Sequence, residues 1–266
     1  MEMGQQVLQQ LVNGISLGSI YALIALGYTM IYGIIKLINF AHGDIYMVGA
    51  YIGFFAITQA GLSIVPALLV SLVTTALLGM LVEKLAYKPL RHAPRLSVLI
   101  TAIGVSFFLE YASMYFVSPT PRTFPAVMDS VAFSIGGLVI NGQQMLILGI
   151  TFVLMVILTY IVKFTNTGKA MRAASFDTET AQLMGINSDR IISITFGIGS
   201  ALAAVLGGIG ILPGAVVGGI ILGVVEAFVS GFISSTFRDA AAFAILIIVL
   251  LVRPTGIFGK NTKEKV

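Results

Sequence analysis

Cysteine is absent from this chain of 266 residues, and charged residues make up only 10 % of it. The lack of cysteine excludes a disulfide framework and any metal site that depends on thiolates. Hydrophobic residues reach 58 %, and the mean hydropathy is +1.02. A soluble chain of this size could not bury so much apolar surface, so a soluble enzyme is excluded. The composition predicts a polytopic membrane protein.

Several catalytic signatures are also missing from the sequence. No G-x-x-x-x-G-K-[ST] motif occurs, so the chain does not bind ATP as a P-loop enzyme. The absence of H-E-x-x-H and G-x-S-x-G leaves an intramembrane protease without visible catalytic residues. One histidine and one aspartate near position 42 are too few ligands for a metal site. We therefore expect no enzymatic activity in this chain.

Apolar runs long enough for the roughly 30 Å hydrocarbon core of a bilayer predict about eight membrane helices. The predicted fold class is all-α, with residues 1–266 forming one transmembrane domain. The runs are Val7–Ile35, Ile45–Gly61, Ser63–Val82, Leu96–Val117, Gln144–Val162, Ile191–Leu212, Gly214–Ile233 and Asp239–Val252.

The distribution of basic residues predicts which loops face the cytoplasm. Loops 83–95 and 163–190 carry most of the internal Lys and Arg and should lie inside. Residues 118–143 then lie outside, where three prolines suit an extended connection. The C-terminal tail contains four basic residues and should also be cytoplasmic, but three apolar runs separate it from Arg190. An odd number of runs means that one is re-entrant or that one crossing is missing.

Small residues predict how the helices meet. Glycines repeat at four-residue spacing in several runs, which allows close backbone approach between helices in lipid. Pro213 interrupts the most glycine-rich run and predicts a break or kink there. The repeats are Gly14 with Gly18, Gly49 with Gly53, Gly210 with Gly214 and Gly218, and Gly219 with Gly223.

The longest polar run, residues 163–190, contains a short predicted helix. Asp177 and Thr178 are good N-cap residues, and Gly185 is placed to end a helix over Thr178–Met184. Ala181 and Met184 would share one face of it. So short a helix is marginal in water without a partner. It is either a cytoplasmic handle for a motor protein or an interfacial helix that caps the bundle.

A few polar side chains inside the apolar runs are candidates for a transport pathway. Glu110 and Glu226 lie near the middle of their runs, where an acidic residue costs roughly 2.5 to 3.5 kcal/mol, so both should face the protein interior. Asn39 and His42 cluster in LINFAHGD at the start of the second run. The alternatives are a structural hydrogen bond for each glutamate and a polar helix entry for the LINFAHGD cluster.

Several long segments resemble one family. They are LGSIYALIALGYTMIYGIIKLINFAHGDIYMVGAY, AYKPLRHAPRLSVLITAIGVSFFLE, TGKAMRAASFDTETAQLMGINSDRII, LGGIGILPGAVVGGIILGVVEAF and LLVRPTGIFG. Together they are similar to the LivH-type permease subunit of bacterial branched-chain amino acid ABC importers. The resemblance implies import of Leu, Ile and Val across the inner membrane.

The same resemblance implies partners. These are a LivM-like second permease, two cytoplasmic ATPase subunits and a periplasmic binding protein. ATP and Mg²⁺ would be bound by the ATPases, with no cofactor in this subunit. The family's E-x-A-x-x-x-G coupling helix corresponds here to Glu179, Ala181 and Gly185. With Met184 from the same short helix, these residues are the predicted contact with the ATPases.

The chain departs from the family pattern at one place. Relatives carry an additional segment of about 30 residues, roughly one membrane helix and a loop, where Val205 here runs directly into Leu206. This predicts the same missing crossing as the charge distribution. Two alternative functions stay open. One is a urea or short-chain amide importer, because the INMAHGE type of that branch differs from INFAHGD by few residues. The other is a stand-alone channel or secondary carrier, which would need no coupling helix.

Overall fold

The computed structural model of the chain describes residues 3–35, 39–91, 93–120, 132–135, 138–206 and 212–252. Ten α-helices and one β-hairpin form from these residues. The helices are α1 (Met3–Ile35), α2 (His42–Thr58), α3 (Ile64–Val82), α4 (Arg95–Phe116), α5 (Gly142–Phe164), α6 (Asn166–Phe176), α7 (Thr178–Leu183), α8 (Ser188–Leu206), α9 (Leu212–Phe232) and α10 (Arg238–Val252). A π-helical turn (Glu83–Tyr87) and two 3₁₀ turns (Lys88–Leu90 and Ser235–Phe237) complete the described elements.

The predicted membrane runs correspond to helices. Each of the eight runs contains one long helix, which confirms the all-α class. Within the part of the chain that the structure describes, four helical segments are long and apolar enough to cross a membrane by length and composition. They are Met3–Gly33, Ile64–Leu90, Leu96–Phe116 and Gly142–Phe164.

The outer segment was predicted to be a plain extended connection, and this prediction was incomplete. Strands β1 (Ala132–Ile135) and β2 (Leu138–Asn141) pair in an antiparallel hairpin. The side-chain amide of Gln9 donates to the backbone oxygen of Val139 at 2.8 Å and accepts from its backbone nitrogen at 2.9 Å. The hairpin is therefore held against the start of α1. Pro121 and Pro125, two of the three prolines behind that prediction, lie outside the described residues.

Glycines bring α1 and α9 into backbone contact, as their spacing predicts. A Cβ atom on Gly14 would lie 2.5 Å from Cα of Val224, and one on Gly18 would lie 2.6 Å from Cα of Ile220. No side chain fits at either position without moving the helices apart. The order of these contacts along the two helices makes α9 antiparallel to α1. By contrast, a Cβ on Gly218 would meet nothing within 4 Å, so that member of the repeat does not make a close approach.

Helix α8 runs antiparallel to α3. The hydroxyl of Ser193, near the start of α8, bonds to Glu83 after the end of α3, whereas Ser200 lies against Gly79. Because α2 reverses the chain between them, α1 and α3 run in the same direction. Consequently α8 and α9, which follow each other in sequence, both run in the direction opposite to α1 and α3. Two consecutive full crossings cannot do this without a third crossing between them.

The depth that α8 reaches follows from its contacts with α1. Gly199 and Gly27 meet so closely that a Cβ on Gly27 would be 2.8 Å from the carbonyl oxygen of Gly199. Helix α8 ends at Leu206, about 10 Å beyond Gly199 along its axis. The end of α8 therefore lies beside the middle of α1. This is the arrangement expected of a re-entrant segment. The junction after Val205 lies inside the last turn of α8, and α9 begins at Leu212, beside the proline that was predicted to mark a break.

The last described helix turns back along α9. Helix α10 follows α9 after the 3₁₀ turn and packs against it. Arg238 at the start of α10 donates to Glu226 on α9 at 2.9 Å. This is the direction that the predicted cytoplasmic tail requires. Residues 253–266 lie outside the described residues.

The largest buried cluster among the described residues lies at the end of the bundle where α1 and α3 end. The rings of Tyr87 and Phe196 lie 5.2 Å apart, and Ile31, Ala181 and Ile192 are buried in the same cluster. The cluster thus joins α1, the segment after α3, α7 and α8. It places the short helix α7 on the same hydrophobic core as the membrane helices.

Candidate functional site

Helix α7 begins at a side-chain cap. Oδ1 of Asp177 accepts hydrogen bonds from the backbone nitrogens of Glu179 at 3.0 Å and Thr180 at 3.1 Å. The hydroxyl of Thr180 also donates to Asp177. These bonds, the Thr180 hydroxyl first, lower the pKa of Asp177 below its usual value. The carboxylate therefore stays ionised, and the cap stays formed, at any pH above the usual carboxyl range.

Helix α7 ends at a glycine, as the sequence predicts. Gly185 has a φ of +83°, a left-handed conformation that residues with a Cβ rarely adopt. Its backbone nitrogen donates to the carbonyl of Gln182 at 2.9 Å, and that of Ile186 donates to the carbonyl of Ala181 at 3.0 Å. This pair of bonds is the Schellman motif. The helix is one residue shorter than predicted, because Met184 forms its C-cap.

The two sides of α7 have different environments. Ala181 is buried, with 4 % of its surface exposed, and packs into the cytoplasmic cluster. Leu183 and Met184 are 87 % and 80 % exposed. The prediction that Met184 shares the face of Ala181 was wrong, because the helix has already ended at Met184 and the turn directs this side chain outwards. Glu179 is exposed as well.

A second cytoplasmic helix, α6, was not predicted. The hydroxyl of Thr165 caps it by accepting from the backbone nitrogen of Gly168 at 3.1 Å. Met171 and Ala174 are buried and three residues apart, which is the signal that could have revealed it. Phe176 at its end is 91 % exposed. Phe176, Leu183 and Met184 are therefore three highly exposed apolar side chains in a polar loop.

Two of the predicted pathway residues come together at the cytoplasmic end of α2. Asn39 and His42 are both buried. The hydroxyl of Tyr87 donates to Oδ1 of Asn39 at 2.6 Å, and the ring of Tyr28 meets the imidazole of His42 edge to face at 5.9 Å. Both side chains thus face the protein interior, next to the cluster on which α7 rests. Sequence reasoning missed Tyr87, because nothing in its local pattern marks it as a partner of Asn39.

The two predicted glutamates lie elsewhere. Glu226 is buried on α9 and accepts hydrogen bonds from Tyr21 at 2.7 Å and from Arg238. These hydrogen bonds are what the structural alternative predicts for Glu226. Glu110 is partly buried on α4. The structure does not gather the four candidates into one site, since Glu226 bonds to Tyr21 near the middle of α1, whereas Asn39 lies beyond the C-terminal end of that helix.

Comparison with known proteins places the chain among transport proteins. Residues 10–209 match the family described as "Branched-chain amino acid transport system / permease component". The chain is 43 % identical to the high-affinity branched-chain amino acid transport system permease protein BraD of Pseudomonas aeruginosa, over 97 % of this chain and 98 % of that protein. It is 42 % identical to the corresponding permease protein LivH of Escherichia coli K12, over 97 % of each chain.

The alignment also bears on the predicted missing segment. The alignment with the BraD protein is 300 positions long, but only 97 % of the 266 residues of this chain take part in it. About 40 positions of the BraD protein therefore have no counterpart here. Because 98 % of that protein is covered, most of these positions are internal. The family match ends at residue 209, shortly after the junction of Val205 and Leu206. These findings agree with a segment of more than one helix that the relatives carry and this chain lacks.

Proposed function

Because the chain belongs to the family of permease components of branched-chain amino acid transport systems, we propose that it is the membrane-spanning permease subunit of an ATP-driven importer for Leu, Ile and Val. It is a multi-pass membrane protein and a transport component rather than an enzyme. We place it in the bacterial inner membrane. Its proposed partners are a LivM-like permease, two ATPase subunits that bind ATP and Mg²⁺, and a periplasmic binding protein.

One observation supports coupling to ATPases more than any other. Helix α7 is fixed at both ends, by Asp177 and by Gly185, and is anchored by Ala181 in the core of the bundle. Its C-terminal end presents the exposed apolar side chains of Leu183 and Met184. A rigid, exposed apolar element in a polar loop fits a partner protein. An interfacial helix that only caps the bundle would not need a fixed start and a fixed end.

The proposed pathway passes Asn39 and His42. Their buried polar groups lie on the interior side of α2, where they border the cluster that carries Ala181 of α7. A movement of α7 would therefore reach these residues through Tyr87, which contacts both the cluster and Asn39. We retain Glu110 as a further pathway candidate and assign Glu226 to the packing of α1, α9 and α10.

Uptake of labelled leucine tests this function directly. The chain, expressed with its cognate partner subunits in cells that lack their own high-affinity branched-chain permeases, should restore uptake. Excess isoleucine or valine should compete with leucine, whereas urea and acetamide should not. A variant of the ATPase subunits that cannot hydrolyse ATP should abolish uptake.

The alternatives give different results in the same assay. Competition by urea or acetamide, with no effect of valine, would favour the urea or short-chain amide branch. Uptake that persists without the ATPase subunits would favour a stand-alone channel or secondary carrier and would contradict the coupling role of α7. Uptake of leucine that depends on the ATPases supports the proposal as stated.

A further inference from the structure

A buried carboxylate joins two cytoplasmic segments of the chain. The side chain of Glu83, directly after α3, is 0 % exposed. One of its oxygens accepts a hydrogen bond from Arg91, and the other accepts one from the hydroxyl of Ser193 at 2.5 Å. Arg91 uses its second terminal nitrogen to bind Asp189. We call these four residues the Glu83 cluster.

The cluster lies where α7 meets the membrane helices. Glu83 and Arg91 belong to the segment between α3 and α4, whereas Asp189 and Ser193 belong to the first turns of α8. Helix α8 follows α7 after a short turn, and the hydroxyl of Ser188 donates to the carbonyl of Thr178 at 3.4 Å. A displacement of α7 must therefore act first on the start of α8, where the Glu83 cluster attaches α8 to α3.

Stability alone does not account for such a cluster. Moving a carboxylate and a guanidinium out of water is costly, and a buried ion pair is often no more stabilising than apolar residues of the same size. An arginine whose two terminal nitrogens both donate to carboxylates fixes the orientation of these partners, because the planar guanidinium donates in only a few directions. Arg91 holds Glu83 and Asp189 in this way. The cluster therefore constrains the geometry of α3 relative to α8 more than it adds stability.

We propose that the Glu83 cluster is a positioning device that transmits the movement of α7 to α3 and α8, so that the three helices move together during the ATP-driven cycle. This inference rests on the coupling role proposed for α7 above. Arg91 is its central residue, since it bonds both to the segment after α3 and to α8. The cluster fixes relative position, and α7 supplies the contact with the motor.

The test separates α8 from the cluster without leaving a buried charge unpaired. The double variant Asp189→Ala/Ser193→Ala removes both groups that α8 contributes and leaves Glu83 paired with Arg91. Because the chain has no cysteine, a single reporter thiol can be placed by Ser63→Cys, at the exposed outer end of α3. In the assembled importer with cysteine-free partners, we would measure the rate of labelling by a membrane-impermeant maleimide with and without ATP.

We expect the double variant to assemble like the parent and to hydrolyse ATP. The ATP-dependent change in labelling rate at position 63 should fall by about fivefold or more, the lower range of typical coupling between sites. The control Lys88→Met, which removes only the exposed partner of Asp189, should keep the full change. Asp189→Glu, combined with the native Ser193, should also retain most of it.

Each outcome has a distinct meaning. A double variant that assembles and keeps the parental ATP-dependent change overturns the role of the Glu83 cluster. If the double variant fails to assemble, Asp189→Ala alone decides by the same criterion, since this side chain is half-exposed. If the parent hydrolyses ATP without any change at position 63, the coupling role of α7 is wrong, and this inference with it. Because the readout needs no substrate, failure of leucine uptake with an intact labelling change would overturn only the proposed substrate.

Discussion

Replacing Gly185 with valine should uncouple the transporter without preventing its assembly. The φ of +83° at this position costs a residue with a Cβ roughly 1–2 kcal/mol. A Cβ there would meet no atom within 4 Å, so the cost comes from the backbone and not from a collision. Since about 1.4 kcal/mol is a factor of ten in an equilibrium, the correctly ended form of α7 should become roughly tenfold less populated. A helix of six residues has little other stability to compensate.

The assay for Gly185→Val is ATP hydrolysis stimulated by the binding protein, together with leucine uptake, in reconstituted liposomes. We expect the complex to assemble in normal amounts. Stimulated ATP hydrolysis and leucine uptake should both fall by about tenfold. Gly185→Asn is the matched control, because asparagine adopts the left-handed conformation more readily, and it should retain most of the activity. Full activity of the valine variant, or an equal loss in the asparagine variant, would refute the reasoning.

Three further predictions follow from the packing. Gly18→Leu should force α1 and α9 apart at a cost of about 1–3 kcal/mol and so lower the melting temperature of the protein in detergent. Gly4→Leu, at an open position, is the control and should leave the melting temperature unchanged. Equal melting temperatures for the two variants would contradict the close contact between the helices. Tyr87→Phe removes a hydrogen bond worth about 1 kcal/mol and should raise the KM for leucine uptake several-fold while assembly is kept; an unchanged KM would separate Tyr87 from the pathway. Insertion of the BraD protein's additional segment between Val205 and Leu206 should increase the yield of assembled complex, and an unchanged yield would count against a missing crossing.

The cytoplasmic helix shows how far local sequence signals reach. Asp177 and Gly185 act through hydrogen bonds to backbone atoms a few residues away, so their residue types were enough to predict both ends of α7. The direction of Met184 could not be predicted in this way. It depends on the turn after the helix and on which side of α7 the bundle occupies, and both are set by distant residues.

The pathway candidates show the opposite limit. Burying polar groups in hydrocarbon is costly, so the sequence alone predicts that the four candidates avoid lipid. These are Asn39, His42, Glu110 and Glu226. Which of them share a site depends on how the helices pack. Glu226 has two hydrogen-bond partners on other elements, Tyr21 and Arg238, as its structural alternative predicts. No pattern within α9 could have indicated those partners, because one lies about 200 positions away.

The sequence by itself determined the class, the family and most of the helices, because apolar run length and glycine spacing act within a helix. It also predicted a missing crossing from the charge asymmetry at the helix ends. Only the tertiary structure decided the common direction of α8 and α9, the mid-depth end of α8 and the burial of Glu83 against Arg91 and Ser193. These features depend largely on contacts between segments about 100 to 200 residues apart. Their energy depends on the packed arrangement of several helices, and no single stretch of the chain contains that information.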